Sequence, residues 1–399
     1  MTCRALLFFL LCCSQVFSAQ PAPLPEWTPW DVPALSEAPE FEWVENDKPL
    51  KSLFYRGLLY RGEPTRVFAC YASPADYGVK PGKSGNYPAL VLVHGGGGQA
   101  FPAWVELWAK RGYAAIAMDL AGKGIGRKTL ADGGPDQGHA QKFATIDEPK
   151  EEQWSYHAVS NVLLAHSLIR SFEGVDIERV GVTGISWGGY LTCIVAGVDS
   201  RFRFAMPVYG CGFLRENSAW KSSEFGKMTA KQSDKWNKLW DPSSYLGSAR
   251  MPVAFLNGTN DFAYPMDSYA KTCALVQTEK NYSIQLGMRH GHIFNFKEFF
   301  VFADQYLKGG APMHAVARPE VKEGVVSAKV TSSTKIVEAR LHFTTEPHPK
   351  NRERKWTTQP LAVKGNVVSG PAPPEHATAW CIEVTDERKM IASSEAMVK

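Results

Sequence analysis

The chain is 399 residues long, 44% hydrophobic and 21% charged, with a formal net charge of +4. This length allows a large buried core and favours two or three domains. The small net charge and the lack of a dense Lys/Arg cluster give no ground for nucleic-acid binding.

The first residues have the pattern of an export signal. Arg4 precedes an apolar run from Ala5 to Cys13, and small residues follow where signal peptidase cleaves. The run is too short to span a bilayer, so residues 1–18 are predicted to be a signal peptide and the mature protein to be secreted or periplasmic. Five cysteines would remain, and this odd count predicts at least one free thiol or an intermolecular bond. They lack the paired spacing of a zinc site: Cys70, Cys193, Cys211, Cys273 and Cys381.

The middle of the chain alternates strands and helices. Residues 19–51, rich in Pro and Trp, are predicted to form an extended arm. From 52 to 310 the alternation predicts an α/β fold with a doubly wound, mostly parallel sheet covered on both faces. The predicted strands are Leu90–His94, Ala114–Met118, Arg179–Gly184, Arg203–Val208, Pro252–Asn257 and Tyr282–Leu286. The predicted helices are Ala103–Lys110, Trp154–Phe172, Tyr190–Ala196, Met266–Val276 and Asn295–Leu307.

Two insertions interrupt this alternation. Residues 121–150 are polar and glycine-rich and are predicted to be a long loop. Residues 212–247 carry Trp220, Trp236 and Trp240 and are predicted to be a small helical cap. Both follow strands, at the carboxyl edge where such sheets bind ligands, so the cap is expected to contact the substrate.

The periodicity changes to two after the boundary Lys308–Pro312. Predicted strands at Val325–Val330, Ile336–Phe343, Leu361–Val368 and Ala377–Val384 indicate a small antiparallel β-sandwich over residues 311–399. Its residues suggest no chemistry of their own. It is interpreted either as a packing partner or as a module for attachment to a glycan or surface.

The segment Gly184–Gly189 has the pattern Gly-x-Ser-x-Gly between an apolar strand and an apolar helix. On such a turn the serine is strained and its Oγ is lifted clear of the sheet, while the glycines avoid steric clashes. Ser186 is therefore the candidate nucleophile. A serine hydroxyl also needs a base, an orienting acid and donors for the oxyanion.

An acid and a base follow the next strands. Asp261 comes just after the strand that ends at Asn257, where a carboxylate can project over the sheet edge. His290 and His292 follow the last strand of the alternating region. His290 is the preferred base, and His292 is the alternative base or a residue that supports the site. Lone histidines such as His166 on the long helix are interpreted as structural.

The oxyanion hole is predicted from two backbone N–H groups. One belongs to Trp187, directly after the nucleophile. The other comes from the run His94–Gly98, where small residues allow close approach, and Gly96 is the preferred donor. This run lacks the spacing of a phosphate loop.

The order oxyanion loop, serine, aspartate, histidine resembles the α/β-hydrolase superfamily over residues 52–308. More narrowly, the elbow, the Gly-Thr-Asn-Asp loop and the His-Gly-His loop are similar to the acetyl xylan esterase, dienelactone hydrolase and prolyl oligopeptidase group. The resemblance implies a triad of Ser186, Asp261 and His290 with no metal or organic cofactor. The residues before the domain are too few for the N-terminal β-propeller of the peptidases.

These observations predict a secreted serine hydrolase of carboxylic esters, with an acylated small molecule or polysaccharide, such as acetylated xylan, as substrate. One alternative is an exported peptidase or amidase of the prolyl oligopeptidase type. A second is a non-catalytic glycan-binding protein built on a hydrolase scaffold.

Overall fold

The computed structural model describes residues 20–399, so the predicted signal peptide lies outside the described residues. The strands are β1 (Phe41–Glu45), β2 (Leu50–Arg56), β3 (Arg66–Ala72), β4 (Tyr87–Val93), β5 (Ala114–Met118), β6 (Val175–Ile185), β7 (Phe204–Val208), β8 (Val253–Gly258), β9 (Lys280–Gln285), β10 (Ala315–Val316), β11 (Glu320–Lys322), β12 (Val325–Thr331), β13 (Ile336–Thr344), β14 (Thr357–Pro360), β15 (Ala362–Lys364), β16 (Val367–Pro371), β17 (Ala379–Asp386), β18 (Ile391–Ser393) and β19 (Met397–Val398). The helices are α1 (Val32–Leu35), α2 (Pro102–Lys110), α3 (Trp154–Ser171), α4 (Trp187–Val198), α5 (Leu214–Asn217), α6 (Ala230–Trp240), α7 (Met266–Leu275) and α8 (Lys297–Lys308).

A large mixed sheet runs through the molecule. Its strand order is β1-β2-β3-β5-β4-β6-β7-β8-β9-β18-β17-β13-β14, and the strands from β5 to β9 are parallel. The strands β4, β5, β7 and β8 are buried along their whole length, because helices cover both faces of this part of the sheet. The α/β-hydrolase fold predicted from the sequence is confirmed.

The N-terminal edge of the sheet differs from the predicted arm. The predicted arm is not extended throughout, since it contains the short helix α1. From Phe41 the chain forms β1, which pairs antiparallel with β2, so the arm ends before residue 41 rather than at residue 51. The prediction missed β1 because its alternation is weak and all five of its residues lie near the surface. The preceding arm is anchored by Trp30, whose Nε1–H donates to the carbonyl oxygen of Tyr156 at 3.0 Å.

The C-terminal region forms two antiparallel sheets with a shared apolar core. Strands β18, β17, β13 and β14 continue the large sheet, and β18 pairs with β9. A second sheet has the order β10-β12-β16-β15, with β11 beside β12. Val326 and Val368 of the second sheet share a buried cluster with Leu341 and Ile382 of the first. The segment predicted as one strand over Leu361–Val368 is instead the hairpin β15–β16.

The two insertions pack against each other above the carboxyl edge of the parallel strands. Residues 121–150 include a π-helical turn at Ala140–Ala144, and the cap residues include α5 and α6. The ring of Phe143 stacks on Trp236 of α6, and the Trp236 Nε1–H donates to the carbonyl oxygen of Lys142 at 2.8 Å. The predicted loop is therefore ordered by its contact with the cap.

The five cysteines of the described region are all buried and none forms a disulfide. Within residues 20–399, none of the helices combines the length and the apolar character needed to span a bilayer.

Candidate active site

Ser186 lies on a tight turn between β6 and α4. Its φ of +61° is in a region that side chains rarely occupy, so the turn is strained. The flanking glycines are required by space. A Cβ on Gly184 would lie 2.3 Å from the carbonyl oxygen of Gly188, and a Cβ on Gly188 would lie 2.0 Å from that of Val93. The Gly-x-Ser-x-Gly pattern therefore forms the strained turn between strand and helix that the sequence predicts.

The structure brings Ser186, His290 and Asp261 together. His290 Nε2 lies 2.8 Å from Ser186 Oγ, and His290 Nδ1 lies 2.6 Å from Asp261 Oδ2. Asp261 is buried, and its other oxygen accepts hydrogen bonds from the N–H groups of Ala263 and Tyr264, each at 2.8 Å. An ionised Asp261 accepts the Nδ1–H of His290, which leaves Nε2 free to accept the serine proton.

The two candidate bases have different partners. His292 Nε2 accepts a hydrogen bond from the Gly95 N–H at 3.2 Å, and its ring packs 4.8 Å from Phe101. Burial lowers the pKa of His292, and the neighbouring His290 lowers it further. Of the two histidines, only His290 contacts both Ser186 and Asp261. His292 instead bonds the glycine loop, His94–Gly98, through Gly95.

Aromatic rings fix the orientation of the His290 imidazole. Tyr209 stacks on it with centroids 4.3 Å apart, and the Tyr209 hydroxyl donates to the carbonyl oxygen of Arg289 at 2.5 Å. Phe262 covers another side, with its centroid 4.8 Å away. Tyr209 follows β7 directly, so its place after a strand could have identified it in the sequence.

The predicted oxyanion donors lie at the cavity beside Ser186. Trp187 is the first residue of α4, where an N–H group has no partner within the helix. Gly96 approaches the Trp187 ring so closely that a Cβ there would lie 3.0 Å from Cδ1. Within residues 20–399 neither N–H donates a hydrogen bond, so both are available to a ligand.

Buried His94 anchors the glycine loop that carries Gly96. Its Nδ1 lies 2.7 Å from the carbonyl oxygen of Gly95, and its Nε2 accepts from the Leu120 N–H at 3.0 Å. Burial lowers the pKa of His94 to about 4. The neutral ring fits both contacts, since Nδ1–H donates while Nε2 accepts. The sequence marked His94 only as part of the glycine run.

A buried lysine, Lys142, packs against the ring of Trp187. Lys142 Nζ lies 4.4 Å from the Trp187 ring centroid and 5.1 Å from that of Trp154. Burial lowers the pKa of Lys142 to about 7, against the attraction of Asp136. Nothing in the sequence distinguished this lysine from the others of its polar loop.

A cavity of about 480 Å³ opens above the serine. Residues of the cap form one wall, the loop after Asp261 forms another, and the glycine loop closes the third side. Its lining comprises Gly96, His139, Ser186, Trp187, Ala219, Trp220, Ser223, Phe262, Ala263, His290, Gly291 and His292. The cap thus reaches the cavity through Trp220, and its contact with the substrate stays a prediction. Within residues 20–399 there is no cluster of His, Cys, Asp and Glu side chains that could hold a metal ion.

Comparison with known proteins finds a family and several solved structures that the chain resembles. Residues 40–223 match the acetyl xylan esterase (AXE1) family. Acetyl xylan esterase 1 from Thermoanaerobacterium sp. JW/SL YS485 is 20% identical, with a TM-score of 0.53 over 71% of this chain and 94% of that one. The enzyme from Paenibacillus sp. R4 is 21% identical, with a TM-score of 0.55 over 69% and 92%.

A curated relative is an uncharacterized peptidase, YuxL, of Bacillus subtilis (strain 168). It is 24% identical over 197 residues, which are 45% of this chain and 27% of the relative. The chain therefore matches about a quarter of the length of that protein.

Fold and site together define a serine hydrolase. The chain has the α/β-hydrolase fold, and its predicted likeness to acetyl xylan esterases and related peptidases is confirmed.

Proposed function

We propose that this protein is a secreted esterase that removes small acyl groups, acetyl first among them, from carbohydrate. The observation that carries the proposal is the pair of hydrogen bonds by which His290 joins Ser186 and Asp261 at the base of an open cavity. Export rests on the signal pattern of residues 1–18.

The proposed reaction begins when Ser186 Oγ attacks the ester carbonyl carbon and passes its proton to His290 Nε2. Asp261 stays ionised and stabilises the imidazolium. The N–H groups of Trp187 and Gly96 bind the oxyanion. When the tetrahedral intermediate collapses, the ester C–O bond breaks, and His290 gives its proton to the departing alcohol oxygen. An acyl-enzyme remains.

Water completes the cycle. His290 takes a proton from water, whose oxygen attacks the acyl carbon. The second intermediate collapses by breaking the bond to Ser186 Oγ, which regains its proton from His290. The carboxylic acid leaves, and the enzyme returns to its starting state.

The cavity lining favours a neutral substrate with an apolar face. Trp220 packs 4.6 Å from Trp187, and Phe262 is 51% exposed at the opening. The exposed ring of Phe262 offers an apolar face to the C–H face of a sugar, whereas Trp220 and Trp187 are buried. Among the described lining residues no carboxylate is present to hold a free peptide amine, which disfavours an aminopeptidase.

Substrate turnover tests the proposal. We expect purified protein to hydrolyse p-nitrophenyl acetate and to release acetate from acetylated xylan, with little turnover of aminoacyl or dipeptidyl p-nitroanilides. The variant Ser186→Ala measures the background. Faster cleavage of the amides would establish the peptidase alternative, and no turnover with any of these substrates would favour the glycan-binding alternative.

A further inference from the structure

The C-terminal sandwich reaches back to the active site through one turn. The 3₁₀ turn His348–Glu353 lies between β13 and β14. Asn351 is 7% exposed, and its side-chain N–H donates to the backbone carbonyl oxygen of Asp261. A residue that hydrogen-bonds His290 is therefore itself bonded to a segment about 90 positions further along the chain.

The contact is reciprocal. Asn260, directly before Asp261, donates its side-chain N–H to the carbonyl oxygen of Arg354 at 2.7 Å. Directly after Asp261, the ring of Phe262 lies 5.9 Å from the Arg352 guanidinium carbon. Three consecutive residues, Asn260, Asp261 and Phe262, thus contact this part of the sandwich. Two of the contacts are hydrogen bonds from an asparagine side chain to a backbone carbonyl oxygen.

These bonds bear on the orientation of the acid. The Asp261 carboxylate accepts its other hydrogen bonds from Ala263 and Tyr264, in its own loop. Those bonds fix the carboxylate within the loop, while the bonds to Asn351 and Arg354 fix the loop against the sandwich. A shift of the loop would carry the carboxylate away from His290.

The sandwich is a firm support because it shares the sheet that carries the base. Strand β18 pairs with β9, the strand that precedes the His290 loop. The Ile284 N–H donates to Ser393 Oγ at 2.9 Å, and the Ser283 hydroxyl donates to the Ile391 carbonyl oxygen at 2.8 Å. The segments that carry Asp261 and His290 are thereby both held by elements of the same large sheet.

We propose that Asn351 is a positioning residue that holds Asp261 against His290, and that the C-terminal sandwich completes the active site through it. This inference rests on the proposed function, since the triad must act for its alignment to matter. A displacement of a catalytic group by about 1 Å can lower the rate ~100-fold. The sandwich thereby has a role in catalysis that its sequence did not indicate.

The test compares Asn351→Ala with Gln359→Ala. Gln359 also donates a side-chain N–H to a backbone carbonyl, that of Pro371 at 2.7 Å, but both partners lie within the sandwich. We expect Asn351→Ala to lower kcat for p-nitrophenyl acetate about 10- to 100-fold with KM within about twofold. Gln359→Ala should keep the wild-type kcat at a similar thermal midpoint.

Labelling by a fluorophosphonate gives an independent readout, because it reports the reactivity of Ser186 without a substrate. The second-order labelling rate of folded Asn351→Ala should fall in parallel with kcat. Asn260→Ala should have a smaller effect in the same direction, and it serves if Asn351→Ala does not fold. Wild-type kcat and labelling rate in folded Asn351→Ala, or in Asn260→Ala where that variant replaces it, would overturn the proposal. If wild-type protein labels but cleaves no ester, the ester function fails while this comparison still stands.

Discussion

Two of the buried aspartate–histidine pairs within residues 20–399 have nearly the same geometry. His290 Nδ1 lies 2.6 Å from Asp261, and His166 Nδ1 lies 2.8 Å from Asp199. Both aspartates are buried. The two pairs nevertheless have different surroundings, and the difference shows what makes such a pair reactive.

The decisive difference is at the second ring nitrogen. His290 Nε2 faces Ser186 Oγ and an open cavity. His166 Nε2 is buried with no hydrogen-bond partner in the described chain, and its ring stacks on Phe202 with centroids 3.7 Å apart. A histidine oriented by a carboxylate is thus catalytic only where the other nitrogen has a nucleophile and access for substrate.

The largest expected effect separates the two candidate bases. His290→Ala should lower kcat about 10⁴- to 10⁶-fold, because Ser186 loses its proton acceptor. His292→Ala should cost less than ~10-fold, since the His292 ring nitrogen accepts the Gly95 N–H and not the proton of Ser186. Initial rates on p-nitrophenyl acetate check both. Loss of activity in the His292 variant alone would assign the base to His292.

Substitution of the two aspartates should have opposite consequences: loss of stability at Asp199 and loss of activity at Asp261. Burial opposes ionisation of Asp199, but hydrogen bonds from His166 and Arg201 outweigh it and lower its pKa. Asp199→Asn leaves Arg201 without its charged partner and should lower the free energy of unfolding by about 3 kcal/mol, with kcat unchanged. Asp261→Asn should lower kcat about 10⁴-fold. Urea unfolding gives the free energy of unfolding of both variants, and initial rates give their kcat. A large loss of kcat in Asp199→Asn would contradict the distinction between a structural and a catalytic pair.

Acid should weaken the glycine loop through His94. The folded protein keeps this ring neutral to about pH 4, while an exposed histidine takes up a proton near pH 6.5. The unfolded state therefore binds more protons in this window, and the free energy of unfolding falls as pH is lowered, by up to about 3 kcal/mol. His94→Gln should show a shallower fall between pH 6.5 and 4. An equal slope in both proteins would contradict this assignment.

Much of the site could be predicted because it is local in sequence. The turn at Ser186 needs glycines at fixed offsets, and Asp261 and His290 each follow a strand that apolar residues mark clearly. Parallel strands place these ends at one edge, so the three residues had to lie near one another.

The remainder depends on contacts that leave no pattern. The bond between Asn351 and Asp261 joins residues on ordinary-looking turns, and the pairing of β18 with β9 involves a single pair of opposed residues, Ser393 and Tyr282. Lys142 looks like any lysine in a polar loop until the cap covers it. Such features follow from the assembled fold rather than from periodicity.

Labelling with a fluorophosphonate probe tests the central claim most directly. Folded wild-type protein should gain one adduct, located by mass spectrometry at Ser186, whereas Ser186→Ala should gain none. His166→Ala should label at close to the wild-type rate, and His290→Ala should label hardly at all. Absence of an adduct at Ser186 in folded wild-type protein would contradict the account.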